Sequence, residues 1–190
     1  MKKRTLITFI LGTLILFVWS AISWMVIPLH SNTLHSIPEG LIQPEEMKQE
    51  MPESGVYHYP GMPEGNDPAL VEEIEEKLQA GPRITLMVYK NSPTTLFNGM
   101  DFVWGLIINL LTTILAFVIV SRLNAKSFRS VMLVSLSIGL VAVLLSDISM
   151  MNWFMFPADY TFANALDKIV SFALLGLLFS GYTFKRKEAY

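Results

Sequence analysis

Four long apolar blocks constrain this chain of 190 residues more than any other feature. They cover residues 5–27, 102–123, 131–154 and 163–184. Because a helix rises about 1.5 Å per residue, about 20 apolar residues suffice to cross the hydrocarbon core of a bilayer. Lipid offers no partner to backbone N–H and C=O groups, so each block is expected to be helical. The sequence therefore predicts four transmembrane helices.

The composition excludes several classes of protein. Hydrophobic residues make up 52% of the chain and charged residues 16%, whereas a soluble domain carries about 25% charged residues. An ordinary soluble enzyme is therefore excluded. The net charge of −2 leaves no broad basic surface to bind phosphates, so we expect no nucleic-acid partner. The chain contains no cysteine, which excludes disulfides, thiol redox chemistry and cysteine-based metal sites.

The basic residues predict the orientation of the helices. Nine of the 14 lysines and arginines fall in three short segments, residues 2–4, 122–129 and 185–187. By the positive-inside rule these segments are cytoplasmic, and so are both termini. Residues 28–100, with 11 acidic and four basic residues, then lie outside. Trp24, Trp104 and Trp153 fall at the expected outer ends of helices, where an indole ring suits the membrane interface.

These features predict an all-α membrane protein with a small extracytoplasmic α/β insert between transmembrane helices 1 and 2. Residues 1–27 are expected to form the cytoplasmic head and the first helix, residues 28–100 the extracytoplasmic subdomain, and residues 101–190 the other three helices with a cytoplasmic tail. The basic head and the first apolar run also resemble a signal peptide. That run is longer than the about 7–15 residues of a signal-peptide core, so we expect an uncleaved anchor.

The subdomain carries signals for a helix, a strand, a second helix and a second strand. The strands are expected near residues 55–61 and 83–89, which are rich in β-branched and aromatic residues. Asp67 is a natural N-cap for the helix between them, and Pro68 fits its first turn. A crossover helix would allow the two strands to pair in parallel. Because a sheet of two strands is marginal alone, we expect the subdomain to lean on the bilayer or on a partner.

Polar residues in and beside the apolar blocks are candidates for function, because a charge in hydrocarbon is costly. Asp147 and Asn109, together with Asp101, could form a shallow proton or cation site. The alternative is a hydrogen bond that holds two helices together, which we favour because we find no second buried charge to form a relay. Small residues four apart also predict close helix contacts: Ser135 with Gly139, and Gly176 with Ser180.

All three histidines fall in the expected outer region. His30 and His35 flank the exit of the first helix, and His58 comes later in the chain. Met47 and Met51 are spaced to share one helix face. Thioethers and imidazoles without a competing thiol suit copper, as Cu(I) or Cu(II). The alternative is that methionine fills irregular apolar gaps, and no tight Met-x-Met or His-x-His spacing supports a metal site.

Familiar enzyme motifs are missing from the sequence. The chain lacks a G-x-S-x-G elbow, an H-E-x-x-H motif, a P-loop and a G-x-G-x-x-G fingerprint. Ser31 and Ser36 each follow a histidine, but a catalytic triad is defined by geometry and not by adjacency. We therefore expect no enzymatic activity and no catalytic residues.

The exit of the first helix carries a resemblance to a known family. The residues concerned are the run from Trp19 to His30, then Asn32-Thr33-Leu34, and later Gly55-Val56-Tyr57 and Pro60. Together they resemble a family of small bacterial inner-membrane proteins, of no established activity, with a Trp-, Pro- and His-containing exit from the first transmembrane helix. Leu29 stands where that family has tryptophan. The resemblance implies that Pro28 and His30 belong to a recurring design, and it carries over no catalytic role.

We expect a multi-pass protein of the bacterial inner membrane that acts as an accessory, assembly or interaction subunit. Its outer subdomain would contact a membrane partner, which is another membrane protein or a second copy of this chain. One alternative is copper handling by the exported His and Met residues. A second alternative is a small proton- or cation-coupled transporter.

Overall fold

The computed structural model describes residues 2–62, 65, 67–125 and 127–187. Within them the protein is mostly helical, with four helices long and apolar enough to cross a membrane and one small two-stranded sheet. The chain divides into two compact units: Met1–His35 with Leu96–Tyr190 form unit 1, and Ser36–Thr95 form unit 2. Lys126, in the expected cytoplasmic link, lies outside the described residues.

Along the chain, the elements of unit 2 are inserted between the first helix of unit 1 and its remaining helices. In order they are α1 (Lys2–Ala21), α2 (Pro44–Glu50), β1 (Gly55–Tyr59), α3 (Pro68–Ala80), β2 (Ile84–Tyr89), α4 (Gly99–Arg122), α5 (Phe128–Val143), α6 (Ser149–Phe154) and α7 (Ala158–Lys187). Two π-helical turns, Ile22–Val26 and Leu144–Ile148, extend α1 and join α5 to α6. Short 3₁₀ turns lie at Ser31–Thr33 and Glu39–Leu41.

Unit 1 contains the four candidate membrane spans. They are Lys3–Val26, Gly99–Arg122, Phe128–Phe154 and Ala158–Tyr182, and each has 24 to 27 residues. That length exceeds the about 20 residues that a crossing requires. The prediction of four helices of membrane-crossing length is confirmed.

The four spans pack into one bundle. Contacts join α1 to α4 and α7, and α5 to α4 and α7. A core lies between them and takes residues from every span: Leu16, Ala116, Val120, Val131, Leu175 and Phe179. We call the end of the bundle at which α1 leaves for unit 2 and α4 returns from it the insert end. The loop between α6 and α7 lies at this end as well.

Small residues allow two pairs of helices to approach closely. A Cβ atom on Gly12 of α1 would overlap Thr113 Cγ2 of α4, and one on Gly176 of α7 would lie 3.1 Å from Ser135 Cβ of α5. Such distances are too short for an ordinary contact, so the helix surfaces meet there without room for a larger residue. The close contacts predicted at Ser135 and Gly176 are confirmed.

Unit 2 contains α2, β1, α3 and β2. The carboxylate of Asp67 caps α3 by accepting a hydrogen bond from the Ala69 N–H at 3.0 Å, and Pro68 occupies the first turn. Gly81 ends the helix with a φ of 59°, a conformation that glycine adopts without strain. The predicted N-cap, first turn and end of this helix are therefore confirmed.

The two strands of unit 2 pair antiparallel, so the expected parallel pairing is wrong. Gly55 faces Tyr89 and Val56 faces Val88, with a register shift between Tyr57 and Tyr59. The connection over residues 60–83 is long enough to return the chain in either direction. Antiparallel pairing is the slightly more stable arrangement per residue.

Unit 2 has almost no interior. Among its described residues only Pro60 is buried, and the cross-strand neighbours Val56 and Val88 are 61% and 85% exposed. Three apolar residues of α3, Leu70, Val71 and Leu78, remain more than a third exposed. Burial of apolar surface is the main stabilising contribution in folding, so this unit has little of it.

Candidate functional site

Asp167, on α7, accepts two hydrogen bonds from the segment that leaves the first span. The Ser23 hydroxyl donates to Asp167 Oδ1 at 2.5 Å, and His30 Nε2 donates to Asp167 Oδ2 at 2.9 Å. His30 is 1% exposed, and the Asp167 side chain is 16% exposed. We call these three residues the Asp167 site. Both carboxylate oxygens are paired, as the cost of burying a charge requires.

The π-helical turn after α1 places Ser23 at this site. The N–H of Ile27 donates to the carbonyl of Ile22 at 2.9 Å, which closes a turn one residue wider than an α-helical one. The extra residue rotates the following chain relative to α1. Ser23 is fully buried in this turn. Single π-helical turns occur frequently at functional sites.

A ring contact and two hydrogen bonds to the main-chain carbonyl hold His30 in place. The ring of Trp24 stacks on it, with centroids 3.9 Å apart and an angle of 5° between the planes. The His30 carbonyl accepts hydrogen bonds from the N–H and the hydroxyl of Thr33, at 3.0 and 2.9 Å. Among the described residues, His30 Nδ1 has no hydrogen-bond partner. The ring is therefore held at Nε2 and on one face.

An ion pair between Lys168 and Asp147 lies beside the site. Lys168 Nζ donates to Asp147 Oδ1 at 2.7 Å, with the side chains 33% and 10% exposed. Asp147 belongs to the π-helical turn between α5 and α6, so both π-helical turns supply polar groups to this region. The expectation that no second charge lies near Asp147 is wrong, because Lys168 of α7 pairs with it and Asp167 is the neighbour of Lys168 on that helix.

A cavity of about 310 Å³ opens next to Asp167 and Lys168. The rest of its lining comes from the first span, α4 and α7, and combines polar with apolar side chains: Leu16, Trp19, Ser20, Trp24, Asn109, Thr112, Asn164, Ser171 and Phe172. A volume of this size accommodates a small organic molecule or several waters. The carboxylate of Asp167 is therefore reachable from a cavity inside the bundle.

The site contains a serine, a histidine and an aspartate, but it is not arranged as a hydrolytic triad. In a triad the imidazole lies between the two others and accepts the proton of the serine. Here Asp167 lies in the middle, and Ser23 and His30 both donate to it. The serine hydroxyl is thus held as a donor to a carboxylate and is not activated as a nucleophile.

The residues expected to bind copper are distributed over both units. His30 belongs to the Asp167 site, and His35 is exposed at the end of the same segment of unit 1. In unit 2, the Nδ1 of His58 donates to the Pro60 carbonyl at 3.0 Å, and half-buried Met47 and Met51 lie on and just after α2. Within the described residues, no three His, Asp or Glu side chains are placed to hold a metal ion.

The three polar residues predicted in and beside the spans have different environments. Asp147 pairs with Lys168, and Asn109 lines the cavity beside Asp167. Asp101 is exposed in the first turn of α4 and does not line the cavity. Of these three residues, Asn109 is the one that the bundle brings to the cavity beside Asp167.

Sequence reasoning missed Ser23, Asp167 and Lys168. The signal for the last two was present, because an acidic and a basic residue stand side by side inside the fourth apolar block, where each is costly alone. Nothing in the sequence marks Ser23, because its role depends on a π-helical turn and on a partner 144 residues away.

Comparison of the chain with protein-family models, curated proteins and solved structures gave no match. The resemblance at the exit of the first helix therefore stays a prediction. Function has to be inferred from the side chains that the bundle brings together.

Proposed function

We propose that this protein is a small proton- or cation-coupled membrane transport protein in which Asp167 binds one positive charge. The observation that carries the proposal is the presence of two carboxylates and one ammonium group in the same part of the bundle. Lys168 neutralises Asp147. Asp167 is contacted by the hydroxyl of Ser23 and by the imidazole of His30, which is neutral unless it binds a proton.

Charge balance supports this proposal. With neutral His30, the groups Asp147, Asp167 and Lys168 sum to one negative charge, and α4 contributes the uncharged Asn109 and Thr112 to the cavity. A net charge in apolar surroundings is costly. One positive charge removes the imbalance, either as a proton on the imidazole or as a cation in the cavity.

The test is cation and proton flux in proteoliposomes that contain the purified protein. Wild type should move one of these ions down an imposed gradient, and Asp167→Asn should abolish the flux because the amide keeps the shape and removes the charge. Asp159→Asn is the matched control, since Asp159 is exposed at the start of α7. Flux that is equal in wild type and Asp167→Asn would contradict the proposal.

We propose further that both termini are cytoplasmic, so that the insert end faces outwards. The basic residues at the opposite end, including Arg4 and Arg122, support this orientation through the positive-inside rule. Because the chain has no cysteine, Ser36→Cys and Ser127→Cys, both exposed and outside the four spans, each add a single exposed thiol. An impermeant maleimide should label the first in intact spheroplasts and the second after lysis. The reverse pattern would refute the orientation.

A second function, as an interaction subunit, is supported by the missing interior of unit 2. A unit whose only buried described residue is Pro60 gains stability from any surface that covers its apolar residues. Val88, 85% exposed on β2, is the natural probe. Val88→Asp should lower the mass of the native complex in mild detergent, whereas Gln79→Asp on exposed α3 should not. A monomer mass for wild type would remove this candidate.

A further inference from the structure

Four polar residues of α7 line the cavity on one stripe of that helix. They are Asn164, Asp167, Lys168 and Ser171, and their spacing of i, i+3, i+4 and i+7 places them on one helix face. Such residues within a helix of membrane-crossing length are costly wherever they meet lipid. The stripe lies instead on the side of α7 that borders the cavity.

The hydrogen bonds of this stripe do not join α7 to α4. Asn164 Nδ2 donates to a carbonyl of its own helix at 2.8 Å, and Lys168 Nζ donates to Asp147 at 2.7 Å. Asn109 and Thr112 of α4 line the same cavity, and within the described residues no hydrogen bond links their side chains to α7. Polar residues that served only to hold these two helices together would be bonded across the interface. They therefore remain available to a ligand in the cavity.

Two neighbouring residues of the stripe bring opposite charges to the cavity. Each oxygen of Asp167 accepts one hydrogen bond from the protein, and a carboxylate oxygen can accept two. The ammonium of Lys168 has three N–H donors, and Asp147 accepts from one of them. Their side chains are 16% and 33% exposed. Both charged groups can therefore form further hydrogen bonds.

Apolar side chains make up much of the remaining lining: Leu16, Trp19, Trp24 and Phe172. A bare ion gains nothing from such contacts, and the volume of about 310 Å³ is about ten times the 30 Å³ of one water. Binding sites for small organic molecules have volumes of about 300–1,000 Å³ and combine a mostly apolar lining with a few polar groups. The cavity has the size and the lining of such a site.

We propose that the cavity binds an α-amino acid with an apolar side chain. Its ammonium group binds Asp167, its carboxylate binds Lys168 and the amide of Asn109, and its side chain contacts the apolar lining. A ligand with only one of these charges would meet a residue of like charge in the cavity, which is unfavourable at low dielectric constant.

The amino acid is neutral overall, so Asp147, Asp167 and Lys168 still sum to one negative charge when it is bound. One positive charge is then bound together with it. The inference rests on the proposed function, because the amino acid is the solute that this charge accompanies across the membrane.

Leucine is a suitable probe, because it has both charges and an apolar side chain. Equilibrium dialysis of labelled leucine against the full chain in detergent should give one bound molecule per chain. As competitors, 4-methylpentanoate lacks the ammonium, 3-methylbutylamine lacks the carboxylate and glycine lacks the apolar side chain. Each should bind at least about tenfold more weakly than leucine. Equal competition by any of the three would overturn the proposal.

Two substitutions assign the charged groups. Asp167→Asn should weaken binding of leucine at least about tenfold but not of 4-methylpentanoate, and Lys168→Gln should weaken leucine by a similar factor but not 3-methylbutylamine. Because Lys168→Gln leaves Asp147 unpaired, the double variant with Asp147→Asn keeps the charge balance and should show the same loss. The exposed Asp159→Asn and Lys90→Gln are controls that should bind like wild type. Equal losses for leucine and for the compound without the matching charge would contradict the assignment.

Uptake by proteoliposomes separates this inference from the proposed function. An imposed proton or cation gradient should drive labelled leucine inwards against its own gradient, and binding without uptake would overturn its role as the solute. If wild type binds no leucine, the inference is wrong, while ion flux that depends on Asp167 still supports the transport proposal. If Asp167→Asn changes neither flux nor binding, both are wrong. Circular dichroism of each variant, compared with wild type, excludes misfolding as the cause of a loss.

Discussion

The helix bundle and the inserted subdomain of this protein are stabilised by different means. The bundle holds a core from all four spans, with Val131 and Leu175 fully buried. Unit 2 has a two-stranded sheet, a well-capped helix and a single buried described residue, Pro60. The bundle therefore specifies its structure by packing, and unit 2 relies on local signals such as caps and turns. Side-chain truncation should affect the two units unequally.

The largest expected contrast is between Phe179→Ala in the bundle and Val88→Ala in unit 2. Phe179 is 1% exposed and packs edge-on against Phe117. Its loss should cost about 3 kcal/mol, the lower end for such truncations, because lipid solvates the separated helices as well. Val88→Ala should stay within about 0.5 kcal/mol. Unfolding in a denaturing detergent titration measures both, and equal effects would contradict the contrast.

A smaller contrast is expected for adding one methyl group. Gly12→Ala puts a Cβ against Thr113 of the neighbouring helix and should cost about 1–3 kcal/mol, as for other overpacked sites. Gly40→Ala meets no atom within 4 Å and should leave stability unchanged. The same titration serves for both variants. If Gly12→Ala is neutral, the close approach of α1 and α4 is not needed for bundle stability.

The smallest effect is expected from the exposed ion pair of α3. Lys77 Nζ donates to Glu73 Oε1 at 2.6 Å, and this bond lowers the pKa of Glu73 below its ordinary 4.5 and raises the pKa of Lys77 above 10.5. The pair therefore stabilises α3 fully at a pH above the ordinary pKa of Glu73 and below the ordinary pKa of Lys77. Its contribution is lost as pH falls through the lowered pKa of Glu73, or rises through the raised pKa of Lys77.

Amide hydrogen exchange over residues 68–80 measures this effect. Near neutral pH, wild type should exchange slightly more slowly than Glu73→Gln, because exposed pairs contribute little. Well below pH 4.5 the two should exchange alike, since the carboxyl of wild type is then protonated. A difference that persists in acid would show that the pair is not its cause.

The features predicted correctly from the sequence are those that depend on nearby residues. The apolar blocks require only length and composition, and the capping of α3 requires only Asp67, Pro68 and Gly81. Strand direction depends on the path of the connecting chain, which the sequence does not encode locally. The parallel pairing of β1 and β2 is therefore the prediction for unit 2 that is wrong.

The Asp167 site could not be predicted as a whole, because its contacts span most of the chain. His30 and Asp167 are 137 residues apart, and Lys168 and Asp147 are 21 apart, with α6 and the loop after it between them. His30 was recognised as a polar residue at a helix exit and interpreted as a metal ligand. Its partner decides its role, and that partner is known only once α1 and α7 are packed.

The π-helical turn at Ile22–Val26 makes the site sensitive to a kind of change that the span itself tolerates. Loss of one codon there would leave 23 of the 24 residues of the first span, still above the about 20 that a crossing needs. The turn would tighten to an α-helical one, and the chain beyond it would rotate by about 100°. His30, which lies beyond the turn, would then no longer face Asp167. Deletion of one codon would thus leave a first span long enough to cross a membrane but remove the hydrogen bond from His30 to Asp167.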